Sequence, residues 1–220
     1  MKKKIIIIVS AVVLALLIAL SATILVLYRG SVSRDEWRRA VNLPDNLSGY
    51  SQTAYNEKGE LLYSFTVKFD KTTIYRIEKG ADGLTDYELY IQYANKEYIQ
   101  YRNEYSEKGE PGTWKKTTVK SEAWDNYLSF LFGIDDDYGL EEFLYYDDYT
   151  YDIKNAVYYA DEIPVIYGEV YFTEVTVRFD NKKMVEFNLT QNLNKGNHVV
   201  LKQTFEYDGG EFSVPEDIAK

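Results

Sequence analysis

The chain has 220 residues, of which 35 are acidic and 25 basic, with one histidine and no cysteine. Its net charge of −10 excludes broad binding to nucleic acid, since a protein that binds phosphates needs a basic surface. The lack of cysteine excludes disulfides, thiol catalysis and a lipid-modified N-terminal cysteine, so the fold must rest on a hydrophobic core.

An uncharged apolar run lies near the start of the chain. It covers the 24 residues 5–28 and follows three consecutive lysines. A helix of that length is about 36 Å long, enough to cross a hydrocarbon core of about 30 Å. The run predicts that residues 1–30 form a single transmembrane anchor in the cytoplasmic membrane. The alternative is a cleaved signal peptide with a site at Ala19-Leu20-Ser21, but the apolar run continues beyond that site.

The charges around this run bear on its orientation. Basic residues flank both of its ends, so the positive-inside rule alone does not determine the orientation of the segment in the membrane. The flank before the run is only four residues long and strongly cationic, which resists translocation. All 35 acidic residues follow Arg29, together with 21 of the 25 basic ones, which gives that part a net charge of −14. We expect it to lie outside the cytoplasm in a bacterial cell envelope; a cytoplasmic domain is the alternative.

A short helix is predicted within residues 31–44, between anchor and domain. Ser33 and Glu36 have the spacing of a capping box, and Pro44 disfavours a helical residue before it. Trp37 falls on the apolar side of this helix. It is predicted to pack on the following domain; the alternative is an interfacial tryptophan at the membrane surface.

The domain over residues 45–220 has a hydrophobic period of two. Apolar side chains at 61, 63, 65, 67 and 69 alternate with mainly polar ones, as in half-buried antiparallel strands, and Asn- and Gly-containing turns separate such runs. About ten strands are predicted, near 47–56, 60–70, 73–79, 86–94, 97–105, 113–119, 149–159, 166–180, 183–193 and 198–208. The predicted fold is α+β and mainly antiparallel β: a curved meander sheet, or half-barrel, covered by one or two helices and preceded by the transmembrane helix.

One amphipathic stretch interrupts the strands. Trp124, Tyr127, Leu128 and Leu131 follow the i, i+3, i+4, i+7 spacing of a helical stripe. A second short helix is predicted over residues 140–144. We expect the aromatic stripe to cover the apolar face of the curved sheet. The predicted ligand-binding residues are therefore Trp124, Tyr127, Leu128 and Leu131 with Phe65, Val67 and Ile91 of the strands.

Two stretches of sequence resemble the lipoprotein-carrier (LolA-like) superfamily of half-barrels. Residues 175–185, Val-Thr-Val-Arg-Phe-Asp-Asn-Lys-Lys-Met-Val, look like its two-stranded hairpin. Residues 205–209, Phe-Glu-Tyr-Asp-Gly, followed by Val-Pro at 214–215, look like its closing strand and exit. The resemblance spans most of residues 35–217 in architecture and implies a curved sheet that encloses a cavity for acyl chains. The predicted anchor and the missing lipidation cysteine favour a tethered binding domain over a diffusing shuttle.

Few residues suit catalysis. The single histidine, His198, follows an Asn-Lys-Gly-Asn stretch, which predicts an exposed position at a strand start, without the partners of a serine–histidine pair. Acidic clusters at 135–137, 141–142 and 147–148 supply oxygen ligands for a hard cation, but they lack the spacing of a calcium loop and are interpreted as solvated loops. We predict no enzyme activity, no cofactor and no metal site.

Tyrosine is unusually frequent, with 22 in the chain and six between residues 145 and 159. Tyrosine suits both strands and binding surfaces, so this cluster is either strand packing or an exposed interface. The leading hypothesis is a tethered domain that binds an apolar or amphiphilic ligand, such as a lipid or acyl chain. The alternative is an envelope protein-interaction or structural module without a ligand cavity. A hydrolase acting on envelope glycans would need two convergent carboxylates, which the sequence alone does not identify.

Overall fold

The structure, a computed structural model, describes residues 16–24, 28–41, 46–94, 97–120, 144–164, 171–193, 197–211 and 213–219. Eleven strands form most of it. They are β1 (Leu47–Asn56), β2 (Leu61–Phe69), β3 (Thr73–Lys79), β4 (Thr85–Ala94), β5 (Glu97–Glu104), β6 (Lys115–Lys120), β7 (Thr150–Asp152), β8 (Val157–Pro164), β9 (Tyr171–Asp180), β10 (Lys183–Leu193) and β11 (Asn197–Tyr207). The helices are α1 (Arg34–Val41) and α2 (Glu216–Ala219), with a 3-10 turn at Tyr146–Asp148.

All eleven strands belong to one open, curved antiparallel sheet. Their order is β6-β5-β4-β3-β2-β1-β11-β10-β9-β8-β7, so the first and last strands pair at its centre. The strands β6 and β7, consecutive in sequence, form the two opposite edges. The predicted antiparallel meander is confirmed. One predicted strand, 149–159, is instead two strands joined by a turn in which Ala156 has a φ of 54°.

Tight turns fix the register of the hairpins. Between β9 and β10, Asn181 and Lys182 have φ angles of 48° and 67°, the left-handed conformation that a two-residue hairpin turn requires. Between β1 and β2, the side-chain oxygen of Asn56 accepts hydrogen bonds from the backbone N–H groups of Lys58 and Glu60, each at 2.9 Å. Asparagine thus acts differently at the two bends: Asn181 tolerates the left-handed conformation, while Asn56 bonds backbone donors through its side chain.

Strand alternation divides the sheet into two faces. We call the side on which Val67, Val177 and Phe205 lie the inner face, because most buried apolar side chains are found there. In the half made of β8–β11, α1 and the 3-10 turn pack against this face. The core of that half is built from Tyr158, Ala160, Val175, Val177, Phe179, Phe187 and Leu189.

Trp37 anchors α1 to the sheet. Its side chain is only 2% exposed, and its ring centroid lies 4.9–5.7 Å from the rings of Tyr149, Phe179, Tyr158 and Tyr146. The indole N–H donates to the backbone oxygen of Leu144 at 2.7 Å. The prediction that Trp37 packs on the domain is confirmed, and the interfacial alternative is wrong because the ring is enclosed.

The segment before α1 is docked on the same half of the sheet. The hydroxyl of Tyr158 accepts from the N–H of Val32 at 2.8 Å and donates to the carbonyl of Val32 at 2.7 Å. Tyr151 donates to the carbonyl oxygen of Arg29 at 2.5 Å. Gly30 has a φ of 84°, and a Cβ there would lie 2.8 Å from the backbone oxygen of Phe179. The close approach therefore requires glycine at this position.

Residues 16–24 are helical, and the apolar side chains of Leu16, Leu17, Ile18, Leu20 and Ile24 are 48–65% exposed. Among the described residues, no helix is both long enough and apolar enough to cross a bilayer. The rest of the predicted anchor, except residues 28–30, lies outside the described residues.

The predicted amphipathic helix over residues 121–132, with Trp124, Tyr127, Leu128 and Leu131, also lies outside the described residues. The second predicted helix, 140–144, does so too, except for Leu144, which is buried and not helical.

The capping box of α1 generates a pH-dependent prediction. The N–H of Ser33 donates to Glu36 Oε2 at 2.8 Å, and Lys182 forms an ion pair with the same carboxylate. Lys182 and then Ser33 lower the pKa of Glu36 from 4.5 to about 2. The stabilisation is therefore complete above about pH 4.5 and is lost as pH falls toward 2.

We expect Glu36→Gln to lower the thermal unfolding midpoint of the full chain at pH 7, by an amount that shrinks as pH falls from 4.5 to 2. The matched control is Asp35→Asn, which removes a charge from the same helical turn but leaves the ion pair with Lys182 intact. Equal losses in the two variants, or a Glu36→Gln effect independent of pH, would contradict this account of the cap.

Candidate ligand-binding face

The inner face of β2–β5 is divided into an apolar and a charged part. Cross-strand pairing arranges its side chains in three rows that run across the strands. The rows are Phe69–Ile74–Ile91–Gln100, then Val67–Arg76–Leu89–Arg102, then Phe65–Glu78–Tyr87–Glu104. We call these three rows the amphiphilic face. Along the strands, it changes from a mainly apolar row, through a row that mixes aliphatic and cationic residues, to a row of carboxylates and rings.

The apolar part is tightly enclosed. Val67, Ile74 and Ile91 are at most 1% exposed. Phe69 and Tyr93 are half-buried at its margin. This part of the face belongs to the same continuous core as the inner face of β8–β11.

The charged part is held by a compact network. Arg76 Nη2 donates to Glu78 Oε2 at 2.8 Å, and the hydroxyl of Tyr87 donates to the same oxygen at 2.7 Å. Burial first, and the bond to Glu78 second, raise the pKa of Tyr87 to about 12. Tyr87 therefore stays neutral and keeps donating at any physiological pH.

Two guanidinium groups lie against the ring of Tyr87. The Cζ atom of Arg102 is 4.4 Å from the ring centroid and that of Arg76 is 5.8 Å away. Arg76 also lies 4.7 Å from the ring centroid of Phe65. The Nε atoms of both arginines are buried, and neither has a hydrogen-bond partner among the described residues. Cations placed this way keep donor capacity in a partly desolvated setting.

A separate recess lies between α1 and the 3-10 turn. It has a volume of about 390 Å³ and a floor formed by the buried side chains of Trp37, Val41 and Leu144. An exposed ion pair between Arg34 and Asp147 crosses its rim. The floor of this recess is the packing surface of α1, which gives it a structural role.

The structure places three of the seven predicted ligand-binding residues together. Phe65, Val67 and Ile91 all lie on the amphiphilic face; the other four lie outside the described residues. Sequence reasoning missed Arg76 and Arg102. No local signal identifies them, because the inward positions of β3 and β5 are mostly polar in sequence. Only the pairing of both arginines with Leu89 places them on the inner face.

The structure distinguishes between the two interpretations of the tyrosines at 145–159 and corrects the expectation for His198. Tyr149 and Tyr158 are 8% and 3% exposed and form core around Trp37, as strand packing predicts, whereas Tyr145 and Tyr159 are exposed. His198 is half-buried, and its Nδ1 contacts the side-chain oxygen of Asn192. The cross-strand pairing of these two residues accounts for its burial.

Comparisons with known proteins give little to add to this geometry. No protein family is matched by the chain, and no curated protein matches its sequence. A crystal structure of isotype 1 transferrin binding protein B from serogroup B Neisseria meningitidis aligns with 73% of this chain at 12% identity and a TM-score of 0.19. This chain spans 26% of the length of that structure. A TM-score this low carries no argument about fold or function.

The bond between Tyr87 and Glu78 can be tested through stability. We expect Tyr87→Phe to lower the free energy of unfolding by about 1–2 kcal/mol, because a half-buried carboxylate loses a donor. The matched control is Tyr55→Phe on β1, since the Tyr55 hydroxyl has no hydrogen-bond partner among the described residues. Denaturant unfolding of the full chain measures both. A Tyr87→Phe variant as stable as the control would contradict the network described above.

Proposed function

We propose that this protein is a membrane-tethered, extracytoplasmic binding domain for an amphiphilic ligand, such as a lipid or an acyl compound. The observation that carries the proposal is the amphiphilic face, on which buried aliphatic side chains adjoin arginines and carboxylates. Charged side chains on the core side of a sheet are costly unless they are paired or have a function. A ligand with an apolar chain and a polar head complements both parts of the face.

The two parts assign an orientation to the ligand. Its apolar chain would contact the half-buried rings of Phe69 and Tyr93, which adjoin the buried side chains of Ile74 and Ile91. Its polar head would lie by Arg76, two residues beyond Ile74 along β3. Binding sites for small ligands commonly combine such an apolar lining with a few polar groups that fix orientation. The resemblance to lipoprotein carriers, whose half-barrels hold acyl chains, agrees with this arrangement.

The tether is the second part of the proposal. In the described helical segment 16–24, the hydroxyls of Ser21 and Thr23 donate to the carbonyl oxygens of residues 17 and 19, at 2.8 Å each. Such bonds satisfy polar groups within the helix itself, as an apolar surrounding demands. The exposed aliphatic side chains of the same segment, within an uncharged 24-residue run, suit a bilayer.

The docked segment 28–33 leaves little free chain between this tether and the sheet. Tyr28 stacks on Tyr151 with ring centroids 6.3 Å apart, and Val32 is bonded to Tyr158. We infer that the domain is held close to the membrane surface. The net charge of −14 after Arg29 disfavours adsorption of the domain to anionic lipid. The same acidic excess also supports the proposed extracytoplasmic position.

A second candidate function is that of an envelope protein-interaction module. On the outer face, opposite the amphiphilic face, the ring of Tyr90 lies 4.8 Å from that of Tyr75 and 5.7 Å from that of Trp114. Glu88 accepts hydrogen bonds from Tyr75 and Tyr105 at 2.8 and 3.0 Å. A half-buried aromatic cluster around a fixed carboxylate has the composition of a protein interface. It is the surface to test if no amphiphile binds.

Native mass spectrometry of the full chain, released from a mild detergent after gentle extraction from cells, tests the proposed function. We expect one co-purifying amphiphile per chain, and Phe65→Ser to reduce its occupancy because the ring lies on the amphiphilic face. The matched control is Leu62→Ser, which changes an exposed outer-face position of the same strand. Its occupancy should equal that of the parent chain.

Two results would contradict the proposal. One is a ligand-free mass that persists after incubation with membrane lipids, which would favour the interaction module. The other is an equal loss of occupancy in both serine variants, which would place any bound amphiphile elsewhere.

A further inference from the structure

Two arginines occupy inner-face positions in a domain that is otherwise acidic. Arg76 on β3 and Arg102 on β5 both face Leu89 on the strand between them, so they stand two strands apart in one cross-strand row. The next residue in this row is Lys115 on β6, the pairing partner of Arg102. The row therefore carries three cations on three strands.

The neighbouring carboxylates neutralise this row only in part. Glu78 accepts from Arg76, while Glu104 lies 3.3 Å from Arg102 Nε and 3.8 Å from Lys115 Nζ. Among the described residues, three cations thus face two carboxylates. The contact between Arg102 and Glu104 lacks hydrogen-bond geometry, since Arg102 Nε has no hydrogen-bond partner in this part of the chain. The donor capacity of the row exceeds what its described neighbours accept.

Both guanidinium groups are oriented by the same ring. Arg102 and Arg76 lie 4.4 and 5.8 Å from the centroid of Tyr87, and the hydroxyl of that ring is fixed on Glu78. A stacked guanidinium keeps its donors in one plane, which suits bidentate contacts with a carboxylate or phosphate. The side chains of Arg76 and Arg102 are 22% and 42% exposed, so they are accessible at the same end of the face.

We propose that Arg76 and Arg102 bind the anionic head group of the amphiphile, a carboxylate or a phosphate. This inference rests on the proposed function and narrows it to negatively charged ligands. In the absence of a ligand, Glu78 and Glu104 hold the two guanidinium groups in place. When the head group binds, it accepts from donors that these carboxylates leave unused, while the acyl chain extends toward Ile74 and Ile91.

A titration of the full chain by native mass spectrometry tests this inference with three probes of equal chain length. They are palmitate, a palmitoyl lysophosphatidic acid and the neutral palmitoyl glycerol. We expect both anionic probes to bind about tenfold or more tightly than the neutral one, as charge-assisted hydrogen bonds imply. The ratio of palmitate to lysophosphatidic acid affinity then separates a carboxylate from a phosphate head group.

The readout in each variant is the ratio of anionic to neutral affinity. Arg76→Gln with Arg102→Gln should bring this ratio to about one. Arg178→Gln, which removes an ion-paired arginine from the outer face of β9, is the matched control and should keep the parent ratio. Because Arg102 is the more exposed of the pair, the single variant Arg102→Gln carries the test if the double variant unfolds; its ratio should fall between the two.

The outcomes separate this inference from the function on which it rests. The proposed contact between the arginines and an anionic head group is wrong if the parent chain binds all three probes equally. It is also wrong if the double variant Arg76→Gln, Arg102→Gln keeps the parent ratio of anionic to neutral affinity. Amphiphile binding itself stands in both cases. If none of the probes binds, the proposed function fails and the inference falls with it.

Discussion

The pairing of β1 with β11 is the constraint on which the whole architecture depends. It joins the first and last strands of the domain at the centre of the sheet, with Asn46 and Asp208 bonded through their backbones and side chains at its end. From this central pair, β2 to β6 extend to one side and β10 to β7 to the other. The outermost strands, β6 and β7, form the two edges of the sheet. One open sheet results, with a single inner face whose two halves carry different side chains.

The two halves of the inner face differ in what covers their polar groups. In the half formed by β8–β11, Trp37 is ringed by aromatic side chains and its only polar atom is satisfied by a backbone carbonyl. In the half formed by β2–β5, Arg76 and Glu78 bring charge to the same inward parity. Partly buried charges are poor stabilisers, because desolvation offsets much of their attraction. Their placement beside a mainly apolar row is the reason for which we propose a binding role for this half of the face.

Much of the fold could be predicted because it depends on local patterns. Alternation located nearly every strand, and the capping box located α1. The split of 149–159 into two strands depends on the positive φ of Ala156. Alanine is not one of the residue types that indicate a turn in a sequence. The burial of the 145–159 tyrosines and the row of Arg76 and Arg102 arise from cross-strand register and from contact with α1. Such long-range pairings have no local signature.

Photo-crosslinking of the full chain with a diazirine-bearing palmitate, followed by peptide mapping, tests the central claim most directly. It reports the position of the acyl chain itself, and so locates the ligand on the sheet. The account predicts labelled peptides from β2, β3 and β4, with adducts on inner-face residues such as Phe69 and Tyr93. Labelling confined to the outer-face residues Tyr75, Tyr90 and Trp114, or an absence of labelling above that of a denatured control, would contradict it.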